Sequence, residues 1–461
     1  MKKFIILGAA VATFAMSSCK KESTGSVAAP ESFNAVSTKA ADYVESALPR
    51  KTLSGNISTN ISLVNDTVYV LNGIVAVDNA TITIEAGTVI IGQVDGGGKP
   101  GTLVVARHGQ INAQGTESQP IIFTSFNLLD GNSFTTAAPG DFGGVILLGQ
   151  APVNVANKTI EGLDAIEPFD NRYGGNVPTH SSGTFSFVRI EFGGYLLAAG
   201  NEINGLTCGG VGSGTVLNHI EVAYGKDDSF EFFGGTVNAS YLVSLAPDDD
   251  HFDFDNGYNG TINYAIAFND IYATHSASGA NSDSNGIEAD NNAPAEDGTF
   301  ALTPKTHPII NNMTIIGAPV NNRWAAPGYL YAVRIRRGAE IEINKSIFMG
   351  YLQAANFDAT TSGFYPATTK LKSNIFQGIT AAVSGVTLVG ADANQTNVFA
   401  GTATTTTNFF PKITQPFLNN TKANVNPIPV STSPATAGGW GAFNNTSRPL
   451  WKNASWVKYY F

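Results

Sequence analysis

The chain has 461 residues, of which 49 are glycine and only 13% are charged, and its formal net charge is −10. Few charges together with many glycines favour a protein of strands and turns over a helical one. The acidic balance argues against nucleic acid or anionic lipid as a partner and favours Ca²⁺ or cationic groups.

The first residues have the pattern of an export signal. Lys2 and Lys3 are followed by an apolar stretch, residues 4–16, that is too short to span a membrane stably. The sequence Met-Ser-Ser-Cys then ends at Cys19 and resembles a bacterial lipobox, although methionine stands where leucine is usual. We expect residues 1–18 to be a signal peptide and Cys19 to become the lipidated first residue.

An acylated Cys19 would anchor the protein to the outer membrane, on its periplasmic or its cell-surface side. The alternative is an ordinary signal peptide with an incidental cysteine. The only other cysteine is Cys208, so lipidation leaves no partner for an intramolecular disulfide. Stability must then come from packing and from backbone hydrogen bonds.

Residues 19–54 lack a sustained apolar period and are predicted to form a flexible tether, with a short helix near residues 40–47. From about Ser62 onward, short runs rich in β-branched residues recur, each ended by Gly, Asn or Asp. No stretch has a helical apolar stripe. The pattern therefore predicts an all-β protein.

The runs are self-similar, and this decides between β architectures. The segment 227–234 (DDSFEFFG) matches the segment 249–256 (DDHFDFDN) at an offset of 22 residues, and a different type of strand precedes each segment. A period of twenty-odd residues with two or three short strands is typical of a β-solenoid, whereas propeller blades need roughly 40–50 residues. We predict a single-stranded right-handed parallel β-helix over residues 55–400.

Several segments resemble the right-handed β-helix lipoproteins of Bacteroidota, over about residues 62–350. They are residues 83–90, 109–116, 120–125, 140–145 and 201–206, and the Asp-Asp-x-Phe-Glu block that begins at Asp227. This resemblance implies the fold and a surface or outer-membrane location. The family has no established reaction, so it implies no catalytic residue.

Residues 401–461 are predicted to form a C-terminal cap, because the open end of a solenoid would otherwise pair with other chains. Their aromatic residues are expected to pack mostly on the last coils, with sugar stacking as the minority interpretation. These residues are Trp440, Trp451, Trp456, Tyr459, Tyr460 and Phe461.

The most informative region is the repeat over residues 226–338. Strand alternation predicts that Phe230, Phe232, Phe252 and Phe254 point inward and that two columns of charged residues point outward. The first outward column is Glu231, Asp253, Glu288 and Arg334, and the second is Asp255, Asp290 and Arg336.

Carboxylates about 4.8 Å apart repel each other by about 3 kcal/mol at an effective dielectric constant of roughly 20. Three things can offset this cost: a bound cation, nearby arginines, or raised carboxyl pKa values. The predicted ligands for Ca²⁺ are Asp228, Glu231, Asp253, Asp255, Glu288 and Asp290. In the competing structural interpretation these acids are solvated turn residues, and the arginines form surface pairs that contribute little.

If the chain is an enzyme, the predicted catalytic residues are Glu231, Asp253, Glu288, Arg334 and His251. His251 would be a general base, although a lone histidine in such a loop is more often a hydrogen-bonding surface group.

Cys208 alternates with inward residues and is predicted to lie in the core. The glycine-rich stretch 209–215 lacks the lysine of a phosphate loop and is predicted to be a turn.

Three function classes remain open from the sequence. The first is a non-catalytic binding protein for glycan or another envelope component, assisted by Ca²⁺, with outer-face aromatics Tyr195, Phe233, Tyr258 and Tyr272. The second is a β-helix polysaccharide lyase or glycoside hydrolase, which needs a cleft around the first outward column, with residues 272–283 and 292–307 as candidate walls. The third is a structural or adhesion protein of the envelope.

Overall fold

The structure is a computed structural model. It describes residues 48–132, 135–164, 167–198, 201–270, 273–278, 281–317, 329–385, 398–400, 413–415, 426–429, 431–443 and 455–458. Cys19, the signal peptide and most of the predicted tether therefore lie outside the described residues, as do Trp451 and residues 459–461.

Nearly all regular structure is β-strand. The strands are β1 (Arg50–Ile57), β2 (Ile61–Leu63), β3 (Val68–Val77), β4 (Thr81–Ile84), β5 (Val89–Gln93), β6 (Thr102–Val105), β7 (Gln110–Gln114), β8 (Ile121–Ser125), β9 (Gly144–Leu148), β10 (Gly183–Glu191), β11 (Tyr195–Ala198), β12 (Asn201–Ile203), β13 (Leu206–Gly209), β14 (Val216–Ala223), β15 (Phe230–Phe233), β16 (Ala239–Leu245), β17 (Phe252–Asp255), β18 (Thr261–Phe268), β19 (Ala277–Ser278), β20 (Asn281–Ser282), β21 (Ile287–Ala289), β22 (Ile309–Asn311), β23 (Thr314–Ile316), β24 (Val333–Ile335), β25 (Glu342–Asn344), β26 (Ile347–Phe357), β27 (Lys370–Lys372), β28 (Ile375–Ser384), β29 (Val398–Ala400), β30 (Ile413–Gln415) and β31 (Asn426–Pro429).

Helical structure is confined to short elements among the described residues. They are the 3₁₀ turns Phe126–Leu129 and Ser362–Phe364 and the helix α1 (Pro434–Gly438). None of the helices in the described part of the chain is long and apolar enough to cross a membrane.

The strands stack in parallel on three faces, which confirms the predicted right-handed parallel β-helix. Face A contains β6, β9, β13, β15, β17, β21 and β24. Face B runs from β2 through β4 and β7 to β22, β25 and β27. Face C runs from β5 and β8 through the second halves of β10, β14, β16 and β18 to β23.

The predicted offset of 22 residues is the register between β15 and β17. Phe230 pairs with Phe252 and Phe232 with Phe254, and the ring centroids of these pairs are 5.3 and 5.5 Å apart. All four rings are buried in the interior, as alternation predicted. Each coil cannot enclose this apolar column alone, so stacking on the next coil supplies the driving force.

One boundary differs from the sequence prediction. The solenoid already begins with β1 at Arg50, because this strand pairs in parallel with β3 inside the segment that was predicted to be tether. Described residues of the C-terminal region contact the side of the solenoid, and the cap over its open end stays a prediction. Gly441 bonds to Lys345 in a late coil, whereas Trp456 packs edge-on against Phe187 in an early coil.

The physical reason is the apolar outer surface of face C. Valine and isoleucine side chains point outward from this face in successive coils, and the returning chain buries them with Trp440, Phe443 and Trp456. Burying this surface removes apolar area from water, which stabilises the contact.

Candidate functional site

The first outward column forms as predicted. Glu231 pairs with Asp253, Asp253 with Glu288, and Glu288 with Arg334 along face A. The same position in the two preceding strands is Thr207 and then Ile146, so the column changes from apolar through acidic to basic along the axis.

The acids of both columns are not solvated, contrary to the simplest structural interpretation. Only 6% of Glu231 and 3% of Glu288 is exposed, and Asp255 and Asp290 are also buried; Asp253 is partly exposed. Residues 149–182 form a long excursion between β9 and β10 whose apolar residues pack on the outer surface of face A. We call these residues the cover segment.

Arginines neutralise the C-terminal half of the two columns. Arg334 Nη1 lies 3.0 Å from Asp283 Oδ1 and 3.1 Å from Glu288 Oε2. Arg336 contacts Glu288 and also binds Asp290 at 2.8 Å, and Arg337 Nη1 lies 2.7 Å from the other oxygen of Asp290. These pairs are mostly buried, so breaking one leaves a charge without a partner.

In the N-terminal half of the first column, the repulsion between Glu231 and Asp253 is relieved in a different way. Burial raises the pKa of Glu231 and of Asp253 well above the ordinary range, and the neighbouring carboxylates raise both further. Asn204 Nδ2 donates a hydrogen bond to Glu231. Asp253 Oδ1 is buried and has no hydrogen-bond partner among the described residues. A shared proton or a cation is needed here.

A ladder of Asn and Asp side chains precedes the column by three residues. Asn204 Oδ1 accepts a hydrogen bond from the backbone N–H of Asp228, and Asp228 Oδ1 accepts one from Asp250. Asp250 Oδ1 accepts the next one, from the N–H of Asn285. The ladder fixes the turn in each coil and brings further carboxylate oxygens toward the first column.

Three overlapping groups of carboxylates have ligand oxygens within 4.8 Å of one another. They are Asp227, Asp228 and Asp249; then Asp228, Glu231 and Asp253; then Asp250, Asp253 and Glu288. Asn285 is fully buried, donates from Nδ2 to Glu288 at 3.3 Å, and has no hydrogen-bond partner for its Oδ1 among the described residues. Hard oxygen donors of this kind suit Ca²⁺.

Two of the predicted calcium ligands have cationic neighbours. Asp290 pairs with Arg336 and Arg337. Asp255 lies near Lys158, whose charge lowers its pKa, although burial dominates and raises it to about 7. The carboxylate groups also include Asp227, Asp249 and Asp250, which were not among the predicted ligands.

His251 is neither a surface group nor a base that substrate could reach. It is fully buried, with Nδ1 2.5 Å from Ser244 Oγ and Nε2 bonded to Asn269 Oδ1. Burial lowers its pKa to about 3. The histidine therefore holds an interior polar network together. Its ring lies between Ser244 of β16 and Asn269, which follows β18, and does not reach solvent.

Arg334 is also unsuited to act as a base. The charges of Glu288 and Asp283 raise its pKa further even though burial opposes this.

Cys208 lies in the core as predicted, and burial raises the pKa of its thiol. Gly209 ends β13, and residues 210–215 connect it to β14, which agrees with the predicted turn.

Of the predicted outer-face aromatics, Tyr258 is wrong, and Phe233 points outward but is covered. Tyr258 is fully buried inside the solenoid, where it packs on Phe232 and Phe254. Phe233 lies under the cover segment, 5.9 Å from the ring of Tyr173. Tyr195 is half-buried, and Tyr272 lies outside the described residues.

Described residues of the two predicted walls reach the columns and the cover segment and pair with their polar side chains. Asp283 binds Arg334, Ser276 Oγ donates to Asp249 at 2.8 Å, and Glu296 binds Lys158 of the cover segment. Sequence reasoning missed the cover segment and its Glu161, a half-buried acid whose pKa is raised to about 8 by desolvation and which hydrogen-bonds Glu231. This excursion has no repeat, so periodicity could not reveal it.

The pectate-lyase-like β-helix domain matches residues 55–456 of this chain. Among solved structures, the Dettilon tailspike protein is similar at 10% identity and a TM-score of 0.26, over 77% of this chain and 62% of that one. The chain thus spans less than two thirds of the length of that tailspike. No curated protein sequence matches.

Proposed function

The chain belongs to the family of pectate-lyase-like β-helix domains, and on that premise we propose that it is a lipid-anchored outer-membrane protein that binds glycan or another envelope component without catalysis. The observation that carries this proposal is the acid cluster of Asp228, Glu231, Asp250, Asp253 and Glu288, in which all but Asp253 are buried and which is only partly neutralised.

In this proposal Ca²⁺ is held by the acid cluster. Asp228 and Asp253 each belong to two of the three carboxylate groups, and the buried Oδ1 of Asp253 has no hydrogen-bond partner among the described residues. The Asn285 carbonyl oxygen adds a neutral ligand of the same hardness. A bound divalent cation would offset the repulsion that otherwise has to be relieved by protonation.

The ligand would approach where the columns reach solvent. Asp253 and Arg334 are partly exposed, and the Arg334 guanidinium lies 5.3 Å from the ring centroid of the half-buried Tyr331. A cation beside a guanidinium group and an aromatic ring can bind the hydroxyl and carboxylate groups of an acidic glycan.

Catalysis is the weaker alternative. Arg334 stays protonated in its ion pairs and His251 is sealed in the interior, so neither residue can take a proton from a sugar. Incubation with polysaccharides, followed by detection of unsaturated or newly reducing sugar products, tests this alternative directly. Product formation that is lost in Glu231→Gln would replace the binding proposal with an enzymatic one.

We expect calorimetric titration of the calcium-free chain with Ca²⁺ to give saturable heat. At a concentration 100-fold above Kd, Ca²⁺ should stabilise the fold by about 2.7 kcal/mol. Asp253→Asn and Glu231→Gln should each weaken binding at least tenfold, since each removes a charged ligand. Glu117→Gln, at an exposed acid outside the cluster, is the matched control and should bind normally. Absence of both heat and a melting shift in the parent chain would end the metal proposal.

A glycan array probed with Ca²⁺ and with chelator tests the ligand. We expect retention on acidic glycans that chelator and Tyr331→Ala both reduce. Binding that neither treatment changes would place the ligand elsewhere.

The lipid anchor is tested separately: Cys19→Ala should move the protein from the membrane to the soluble fraction and abolish acyl labelling.

A further inference from the structure

A lysine, an asparagine, a glutamate and a tyrosine meet where the cover segment crosses face A. Lys158 Nζ lies 3.0 Å from Asn256 Oδ1 and 2.6 Å from Glu296 Oε1. The other oxygen of Glu296 lies 3.5 Å from Asn256 Nδ2, and the Tyr173 hydroxyl donates to Asn256 Oδ1 at 2.7 Å. An ordinary surface ion pair would involve neither a fully buried amide nor a second donor on the amide oxygen.

We propose that Lys158 Nζ and Asn256 Cγ become joined in an intramolecular isopeptide bond, with Glu296 carrying the proton and Tyr173 stabilising the amide oxygen during attack. The inference does not depend on the proposed binding function. The reacting groups come from different parts of the chain and are held together by the fold, so the bond would form only after folding.

The reaction balances without an oxidant or another reactant. Glu296 takes a proton from the Lys158 ammonium, and the resulting amine attacks Asn256 Cγ to form the new C–N bond. Glu296 returns this proton to Asn256 Nδ2, the old C–N bond breaks, and ammonia leaves. Glu296 then takes the second proton from the former Lys158 nitrogen and ends as a neutral acid. The products are a secondary amide and one molecule of ammonia, and the charge of the ion pair is consumed.

The surroundings favour these steps. Asn256 is fully buried, Glu296 and Lys158 are largely buried, and Tyr173 and Phe233 supply apolar walls. In a medium of low dielectric constant an ion pair at this distance is more easily converted into a neutral amine and acid. Burial raises the pKa of Tyr173 well above its ordinary range, so its hydroxyl keeps the proton that it donates. A donor aimed at the developing oxyanion lowers the barrier to attack.

A competing reaction of the same asparagine is suppressed by the structure. Asn256 is followed by glycine, and attack by the Gly257 amide on Asn256 Cγ would also release ammonia and form a succinimide. The Gly257 N–H instead donates to Thr306 Oγ1 at 2.8 Å in the buried turn. Lys158 is therefore the better-placed nucleophile for Asn256 Cγ.

The bond would fasten the cover segment over the acidic columns. It closes a loop of about 100 residues, a length for which a covalent link restricts the unfolded chain strongly. Cys208 is buried and free, so an amide link would supply here what a disulfide supplies in other exported proteins.

Peptide mass spectrometry of the purified, denatured full chain tests the proposal. Trypsin should fail to cut after Lys158, and the peptides 108–172 and 227–305 should appear as one branched species. Its mass should be about 17 Da, one ammonia, below the sum of the two peptides. We expect Lys158→Arg, Asn256→Ala and Glu296→Gln each to abolish the branched species, and Lys158→Arg to lower the melting temperature by about 5 °C.

Lys99→Arg is the matched control, since Lys99 also pairs with two acids, Asp164 and Glu167. This variant should keep the branched species. Separate, unmodified peptides from the folded parent chain would overturn the proposal. A deficit of about 17 Da that persists in Lys158→Arg would overturn it too, because it would identify the succinimide. Retention of the branched species in Glu296→Gln would remove Glu296 from the proton transfer.

Discussion

Replacing Arg336 by glutamine is expected to lower the free energy of unfolding by about 3–5 kcal/mol, the cost of leaving buried charge without its partner. Arg336 contacts Glu288 and Asp290 together, and both acids are almost completely buried. Its guanidinium pKa is raised well above the ordinary value by these two carboxylates, against the effect of burial. Chemical denaturation followed by circular dichroism measures the change.

The matched control is Arg172→Gln. Arg172 also pairs with an aspartate, Asp170, at 2.8 Å, but half of its side chain is exposed to water. Solvent screening makes such a pair contribute at most about 1 kcal/mol. Equal effects of the two substitutions would mean that the second outward column is solvated and that the arginines do not hold it together.

The calcium-free chain is expected to be most stable near about pH 5 and to lose on the order of a few kcal/mol by about pH 8. Burial raises the pKa of Glu161 and of Glu221 to about 8 and that of Asp255 to about 7. Between the ordinary carboxyl pKa and these values, the folded state binds protons that the unfolded state has released. The free energy of unfolding therefore falls as the pH rises through this window.

Below the ordinary carboxyl pKa range the trend reverses, and the free energy of unfolding falls as the pH falls. Hydrogen bonds and ion pairs lower the pKa of Asp170 and of Glu342, so their contribution is lost as the pH falls below the ordinary carboxyl range. Glu221→Gln should flatten the alkaline side of the profile, because a neutral amide cannot lose a proton. Ca²⁺ should restore stability at pH 8 in the parent chain, and less so in Asp253→Asn. Stability that rises steadily from pH 5 to pH 8 without metal would contradict the raised carboxyl pKa values.

The two proposals are separable by their readouts. Calcium binding depends on Asp253 and Glu231, whereas the isopeptide bond depends on Lys158 and Asn256 and is detected as covalent mass. Loss of one leaves the other intact, although both concern the same outer surface of face A. One proposal places a cation on this surface, and the other links the cover segment covalently to it.

The sequence by itself determined the architecture and the register. Alternation and the 22-residue offset placed Phe230 over Phe252 and Glu231 over Asp253, because side-chain direction in a strand has a period of two and equivalent residues of stacked coils must coincide. The arginine at the end of the first outward column was predicted from the same rule.

Only the tertiary structure decided what covers that column. The cover segment carries no repeat, so neither its packing on face A nor the meeting of Lys158 with Asn256 and Glu296 follows from periodicity. Burial in turn controls protonation. A carboxyl group has its ordinary pKa in water and a raised pKa beneath the cover segment. Local pattern fixes the direction of a side chain, but long-range packing fixes its dielectric surroundings, and these control charge.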